Sequence, residues 1–419
     1  MNCTHSQVKT FRMAAVALAM LVAVVLWAGI AVPVQAQTET LLYQFIGSPD
    51  GANPFAGVVL KGTTLYGTTM EGGTGPGNTG YGIVYGVSTT TGKETILHTF
   101  TGQQPDGDGA EPYGGVVFDT HGNLYGTTLT GGAHQYGTVY KIAKSGKQYV
   151  ETVLYSFAGG LDGAYPYYVT PVLDKLGNLY GTTAYGGYYG NGTVFKLAGG
   201  ILTTLHSFNS AGGDGYYPDA GVVLDGKGNI YGAAPGGGAY GYGVLYEITA
   251  SGAYSILYSF TGGADGNTPR SALVFKSGSL YGTTQAGGAG CTWGCGVVFK
   301  FTLATAKKAA KETVLYTFSG VPDGMSPMYG ALVFDKLGNI YGTTLNGGAF
   351  AQGTNLGTVY KLSPNGTMAI LYNFDQQPDG LGPYGNVTLD TKGNIYTTAS
   401  AGGNGPGWYG GGTVIKVTP

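Results

Sequence analysis

One phrase, Tyr-Gly-Thr-Thr or a close variant, recurs seven times along the chain, starting at Tyr66, Tyr125, Tyr180, Tyr231, Tyr281, Tyr341 and Tyr396. The spacing is about 50 to 60 residues, and each copy carries four short apolar runs between glycine-rich turns. A repeat of that length, built from strands and turns, is the pattern of a β-propeller blade rather than of a helical solenoid. The third copy shows it: Val169 to Leu173, Gly177 to Thr183, Gly192 to Leu197 and Leu202 to Phe208. These read as strands a to d, numbered outward from the axis, with β-branched and aromatic residues between the glycines and Gly-Asn in five of the a-to-b turns.

The chain ends sharpen this expectation. Thr40-Leu-Leu-Tyr-Gln-Phe45 has the sequence of an outer strand d, while Gly412 to Val417 has that of strand c, so the last copy lacks its own strand d. Pairing 40–45 with 412–417 closes a ring with no free edge. The expected fold is an all-β, seven-bladed propeller of four-stranded antiparallel blades, one domain over 37–419.

Residues 1–36 read as a secretory signal: Lys9 and Arg12, an apolar run from Met13 to Val32, and the small-residue site Val34-Gln35-Ala36. The run is long enough to span a bilayer, so an uncleaved anchor is the alternative. Cys3 precedes the apolar run, which excludes a lipoprotein reading. Export predicts a disulfide between Cys291 and Cys295, a bond that closes too small a ring to hold a domain together. A zinc site there lacks two ligands.

From Gln37 on, 18 basic residues face 22 acids, with no basic run, so nucleic acid is not an expected partner. The 80 glycines punctuate strands rather than mark low complexity, because Val, Leu, Tyr and Phe recur regularly enough to build a core.

Every inter-blade connection holds Asp-Gly-x-x-Pro, beginning at Asp50, Asp108, Asp162, Asp214, Asp265, Asp323 and Asp379. The reading is an Asx-type turn, with calcium as the alternative use of the seven carboxylates and no other cofactor expected. Each strand d ends in Phe, with Tyr two residues earlier, or His at His98 and His206. Those two histidines therefore read as packing residues. His121 and His134 fall in turns of other blades, and no inner strand is identified that departs from the repeat to supply an axial catalytic set.

In such blades the d-to-a and b-to-c loops share one face, called top here. Top carries twelve acids against Arg270 alone, and bottom all seventeen lysines against ten acids. Sixteen of the 34 tyrosines fall in top loops, clustered in copies three and four: Tyr165, Tyr167, Tyr168, Tyr185, Tyr188, Tyr189, Tyr216, Tyr217, Tyr240 and Tyr242, with Trp293 and Trp408 on the same face. Tyrosine gives a flat apolar body, a polar tip and little rotamer entropy to lose, as binding surfaces require. The expected ligand surface is this acidic, tyrosine-rich face, recognising a polysaccharide or another extracellular polymer. A structural or adhesive scaffold is the alternative, and a propeller hydrolase or lyase a third.

The string Asp-x-x-Gly-Asn-Leu-Tyr-Gly-Thr-Thr-x-x-Gly-Gly, at Asp174 to Gly187 and in close form at Asp335 to Gly348, resembles the tandem repeat of the GloVer-containing family over the whole chain after the leader. The resemblance implies an exported bacterial protein with no established activity. More distantly the blade is similar to those of sensor propellers and of propeller lactonases and lyases, a likeness that does not carry function. With strand c running to the C-terminus, the expectation is a secreted or periplasmic monomer, present at the cell surface in the alternative case, without membrane contact after processing.

Overall fold

The computed structural model describes residues 38–418 except 75–79, 103–106, 293, 350–355, 376–377 and 404–409. The leader, Trp293, Trp408 and Asp106 lie outside the described residues. Every described regular element is a strand. Seven antiparallel sheets of four strands form the blades of a seven-bladed propeller, in sequence order over 59–99, 117–156, 172–207, 223–259, 274–317 and 333–373. Blade seven takes 388–418 and is completed by the N-terminal strand Thr38–Gln44, which pairs with Thr413–Thr418. The closure continues past the strand, where Phe45 N–H donates to the Gly412 carbonyl at 2.9 Å. Ring closure by the N-terminal strand is thus observed.

Each letter of the recurring phrase has a structural task. In Tyr180-Gly-Thr-Thr183 the Tyr180 hydroxyl donates to Asp174 in the a-to-b turn at 3.1 Å. Gly181 faces Phe195 across the sheet, and a Cβ there would lie 2.7 Å from that ring. Where blade seven has Thr397 in place of the glycine, its partner shrinks to Ile415. Thr182 Oγ1 donates to the Ala220 carbonyl of the next blade at 2.8 Å, and Thr183 Oγ1 to the Tyr185 carbonyl in its own b-to-c loop at 2.9 Å. The first threonine thus ties blade to blade, and the second shapes the top loop. The same inter-blade bond closes the ring, from Thr398 to the Ala56 carbonyl at 2.8 Å.

The core lies between blades rather than at one centre. Phe208, which ends strand d of blade three, is fully buried against Val244 and Tyr246 of blade four. Its equivalents Phe45, Phe100, Phe157, Phe260, Phe318 and Phe374 are also fully buried, so each outer strand is pinned to its neighbour by one aromatic side chain. Cys291 and Cys295 form the expected disulfide, with Cα atoms 5.5 Å apart. Cys295 packs into the core between blades five and six.

Candidate functional site

The Asp-Gly-x-x-Pro connections build the top face. In each, the aspartate turns back to the end of the preceding strand d. Asp162 accepts the Tyr155 hydroxyl at 3.0 Å and the Ala158 N–H at 2.7 Å, and Asp265 and Asp323 repeat the pattern with Tyr258 and Tyr316. Asp50 and Asp379 likewise accept from Tyr43 and Tyr372. His98 and His206 occupy the tyrosine position and bond Asp108 and Asp214 through Nε2 at 2.9 and 3.0 Å. They are therefore hydrogen-bond partners of the connection, not only packing residues. The seven aspartates expected to charge the top face spend their carboxylates inside this lock. Among the described residues no group of three or more His, Cys, Asp or Glu side chains converges as metal ligands would.

The residue before each proline lies in the left-handed backbone region, at φ between 55° and 67°: Asn53, Glu111, Tyr165, Tyr217, Thr268, Ser326 and Gly382. Hydrogen bonds on both sides enforce it. Tyr165 N–H donates to the Tyr136 carbonyl of the previous blade at 2.9 Å, and its own carbonyl accepts from Ala184 N–H at 3.0 Å. Asn and Gly suit that conformation, whereas a tyrosine there costs about 1 kcal/mol. Blades three and four accept that strain and aim an aromatic side chain at the same place.

The residue after each proline faces the axis, and reads Phe55, Tyr113, Tyr167, Asp219, Arg270, Met328 and Tyr384 around the ring. Two adjacent blades thus depart from an otherwise apolar or aromatic position. Both residues precede the inner strands of their blades, Val223–Leu224 and Val274–Lys276, so the departure falls in the connections. Arg270 Nη1 donates to Asp219 Oδ2 at 2.5 Å and to the Tyr329 hydroxyl at 2.8 Å. Beside the pair the axis is plugged by aromatic rings, with Tyr168 stacked on Tyr329 at 3.7 Å and Phe55, Tyr113 and Tyr384 packed around them.

Asp219 is only 4% exposed. Its Oδ1 and the Arg270 Nε are buried without a hydrogen-bond partner. Burial pushes the Asp219 carboxyl up to about 7, against the opposing pull of the guanidinium. Burial lowers Arg270, but Asp219 and Tyr329 more than offset it. An ion pair held this way has polar capacity left over, which a dry stabilising pair does not.

Both partners of the pair line a cleft of about 440 Å³, together with Tyr165, Tyr167, Tyr185, Tyr217, Leu129 and Ala184. The aromatic wall continues beyond it. Ring centroids run Tyr136 to Tyr165 at 5.5 Å, Tyr165 to Tyr185 at 6.0 Å, Tyr185 to Tyr217 at 5.1 Å and Tyr217 to Tyr216 at 5.2 Å. Five tyrosines from blades two to four make one strip, in which Tyr185 and Tyr217 are 50% and 40% exposed.

Of the residues expected from sequence, Tyr165, Tyr167, Tyr185, Tyr216 and Tyr217 are gathered here. Tyr168 belongs to the axial plug. Tyr188 and Tyr189 pack on each other at 4.8 Å in the outer loop of blade three. On blade four, Tyr240 is 61% exposed, and the ring of Tyr242 lies over Gly262. Asp219 and Arg270 were missed, although aligning the residue after each proline exposes them at once.

The sequence profile of the Gloeobacter/Verrucomicrobia repeat matches residues 29–167, 74–293 and 275–419. The chain belongs to this family. No curated protein sequence matches it. Among solved structures, the extracellular domain of a proposed hybrid two-component system from B. thetaiotaomicron is similar at 11% identity and TM-score 0.52, over 89% of this chain and 39% of that one. The periplasmic gluconolactonase of Pseudomonas aeruginosa aligns at 14% identity and TM-score 0.47, over 84% and 99% of the two chains. TolB from Acinetobacter baumannii aligns at 12% and 0.43, over 76% and 64%. At these identities the likeness concerns the fold alone.

Proposed function

We propose that this member of the repeat family is an exported binding module that recognises a neutral polysaccharide in the top cleft of blades two to five. One observation carries the reading: a strip of five tyrosines runs into a cleft that the Asp219–Arg270 pair also lines. The apolar faces of pyranose rings stack on aromatic rings, and their hydroxyls both donate and accept, as a carboxylate and a guanidinium lining one cleft require. The sequence-based argument from an acidic face loses weight, because the inter-blade aspartates are engaged internally. The ion pair takes its place as the polar determinant. Contacts along the strip add up over a polymer, so affinity rises with chain length.

The test is a glycan array probed with the chain from Gln37 on, beside the variant Tyr185→Ala, Tyr217→Ala. Retention of a neutral glycan by the parent and its loss in the variant support the reading. Equal retention by both places the ligand elsewhere, and no retention of any glycan favours the scaffold alternative.

A further inference from the structure

The opposite face has its own chemistry. Seven a-to-b turns surround the axis at the bottom, and six of them carry a lysine: Lys61, Lys175, Lys227, Lys276, Lys336 and Lys392. The seventeen lysines all lie in these turns, in strands c or around the c-to-d turns, and eleven of them are exposed.

The acids counted against them are partly exposed, and most are engaged by hydrogen bonds or neighbouring groups. In the turn of blade three, Asp174 accepts N–H groups of Leu176 and Asn178 through Oδ1 at 2.8 and 2.9 Å, and Asn178 Nδ2 and the Tyr180 hydroxyl through Oδ2 at 2.7 and 3.1 Å. Asp119, Asp225, Asp335 and Asp390 are held the same way. Glu94, Glu151 and Glu312 reach between blades toward Asp50, Asp108 and Asp265. Burial and those neighbours raise them to about 7, 8 and 7, which dims their charge near neutrality. Glu39, at the same strand-d position in the closing strand, is likewise raised by burial and by Asp375, and Glu247 on strand c is the tenth acid on this side.

Apolar side chains stand among the lysines. Leu176 and Leu337, at the tips of the a-to-b turns of blades three and six, are 87% and 82% exposed, and Ile201 beside the c-to-d turn of blade three is 72% exposed. The chain also enters on this side. Thr38 opens the closing strand at the bottom, antiparallel to a strand that ends there at Thr418.

We infer that the bottom face docks on an anionic lipid bilayer, with the exposed lysines on the headgroups and Leu176 and Leu337 entering the interface, so that the top cleft points away from the membrane. Each lysine close to an anionic surface contributes about 1 kcal/mol, and inserted apolar tips add binding that a soluble polyanion cannot offer. This departs from the expectation of no membrane contact after processing.

The experiment is co-sedimentation of the chain from Gln37 on with vesicles of phosphatidylcholine alone, or with one third phosphatidylglycerol. That chain contains every described strand, and Glu39–Thr418 form one compact unit. Binding is expected to the anionic vesicles only, to fall at least about tenfold when Lys175, Lys227, Lys336 and Lys392 are changed together to Glu, and to fall severalfold in Leu176→Ser, Leu337→Ser. All six positions are exposed or at turn tips, so the melting temperature serves as the check on folding. The inference is overturned by absence of vesicle binding, by equal binding to neutral vesicles, or by a serine variant that binds like the parent. The last outcome marks a site for a soluble polyanion.

Discussion

Replacing Arg270 by Met, the residue that blade six carries at the same position, leaves Asp219 with no opposing charge while it stays buried. Breaking a buried pair from one side costs about 3 kcal/mol or more, because the survivor is neither solvated nor paired. The survivor has one escape, to take up a proton. For a carboxyl with an ordinary pKa near 4, that costs ~1.4 kcal/mol per pH unit above it. Asp219 is already raised by burial, and removing the guanidinium raises it further. The loss is therefore expected to be large at pH 8 and to shrink toward pH 5. Replacing both partners, Asp219→Phe with Arg270→Met, gives the blades the residues found at Phe55 and Met328 and is expected to recover parental stability or exceed it. Urea unfolding at the two pH values measures all three chains. A single variant within 1 kcal/mol of the parent at pH 8, a loss that does not shrink at pH 5, or a double variant as unstable as the single, refutes the reasoning. A stable double variant also separates stability from binding, since the ion pair is then dispensable for the fold.

Other outcomes follow from the same contacts. Glu94, Glu151 and Glu312 are raised in the folded chain, so they favour folding below the ordinary glutamate range and lose that contribution as pH rises through about 7 to 8. The melting temperature should fall from about pH 5 to about pH 9, and Glu151→Gln should flatten the fall; a flat parental profile contradicts this. The turn aspartates Asp119, Asp174, Asp335 and Asp390 are raised by burial but lowered overall by their hydrogen bonds, so a second loss is expected as pH drops through their depressed range. Tyr155→Phe removes one donor to Asp162 and should cost about 1.5 kcal/mol in urea unfolding, whereas His98→Tyr, which restores the usual residue, should be nearly neutral. Reducing the Cys291–Cys295 bond should lower stability by about 2 kcal/mol or less, and an unfolded reduced chain would refute that.

The propeller was legible because its signals are local and repeated. Glycine at 181 and its equivalents, threonine at 182 and 183, and phenylalanine at 208 each answer a contact made once per blade, so seven copies announce one solution. The closing strand was legible because strand d at the N-terminus and strand c at the C-terminus are incomplete without each other. Side-chain direction was less accessible. The inter-blade aspartates looked like surface charge, yet Tyr155 and His206 show that strand d was made to receive them. Of ten clustered tyrosines, sequence could not separate Tyr185 and Tyr217 on the cleft from Tyr168 in the plug, because that depends on how loops from neighbouring blades meet at the axis. Asp219 and Arg270 lie 51 residues apart, and only superposed repeats place them side by side.

A crystal of the chain from Gln37 on, soaked with an oligosaccharide retained on the array, tests the central claim most directly. The account predicts a sugar ring stacked on Tyr185 or Tyr217, with a hydroxyl hydrogen-bonded to Asp219 or Arg270. Density at another place on the molecule, or a cleft that stays empty while the oligosaccharide binds in solution, contradicts it.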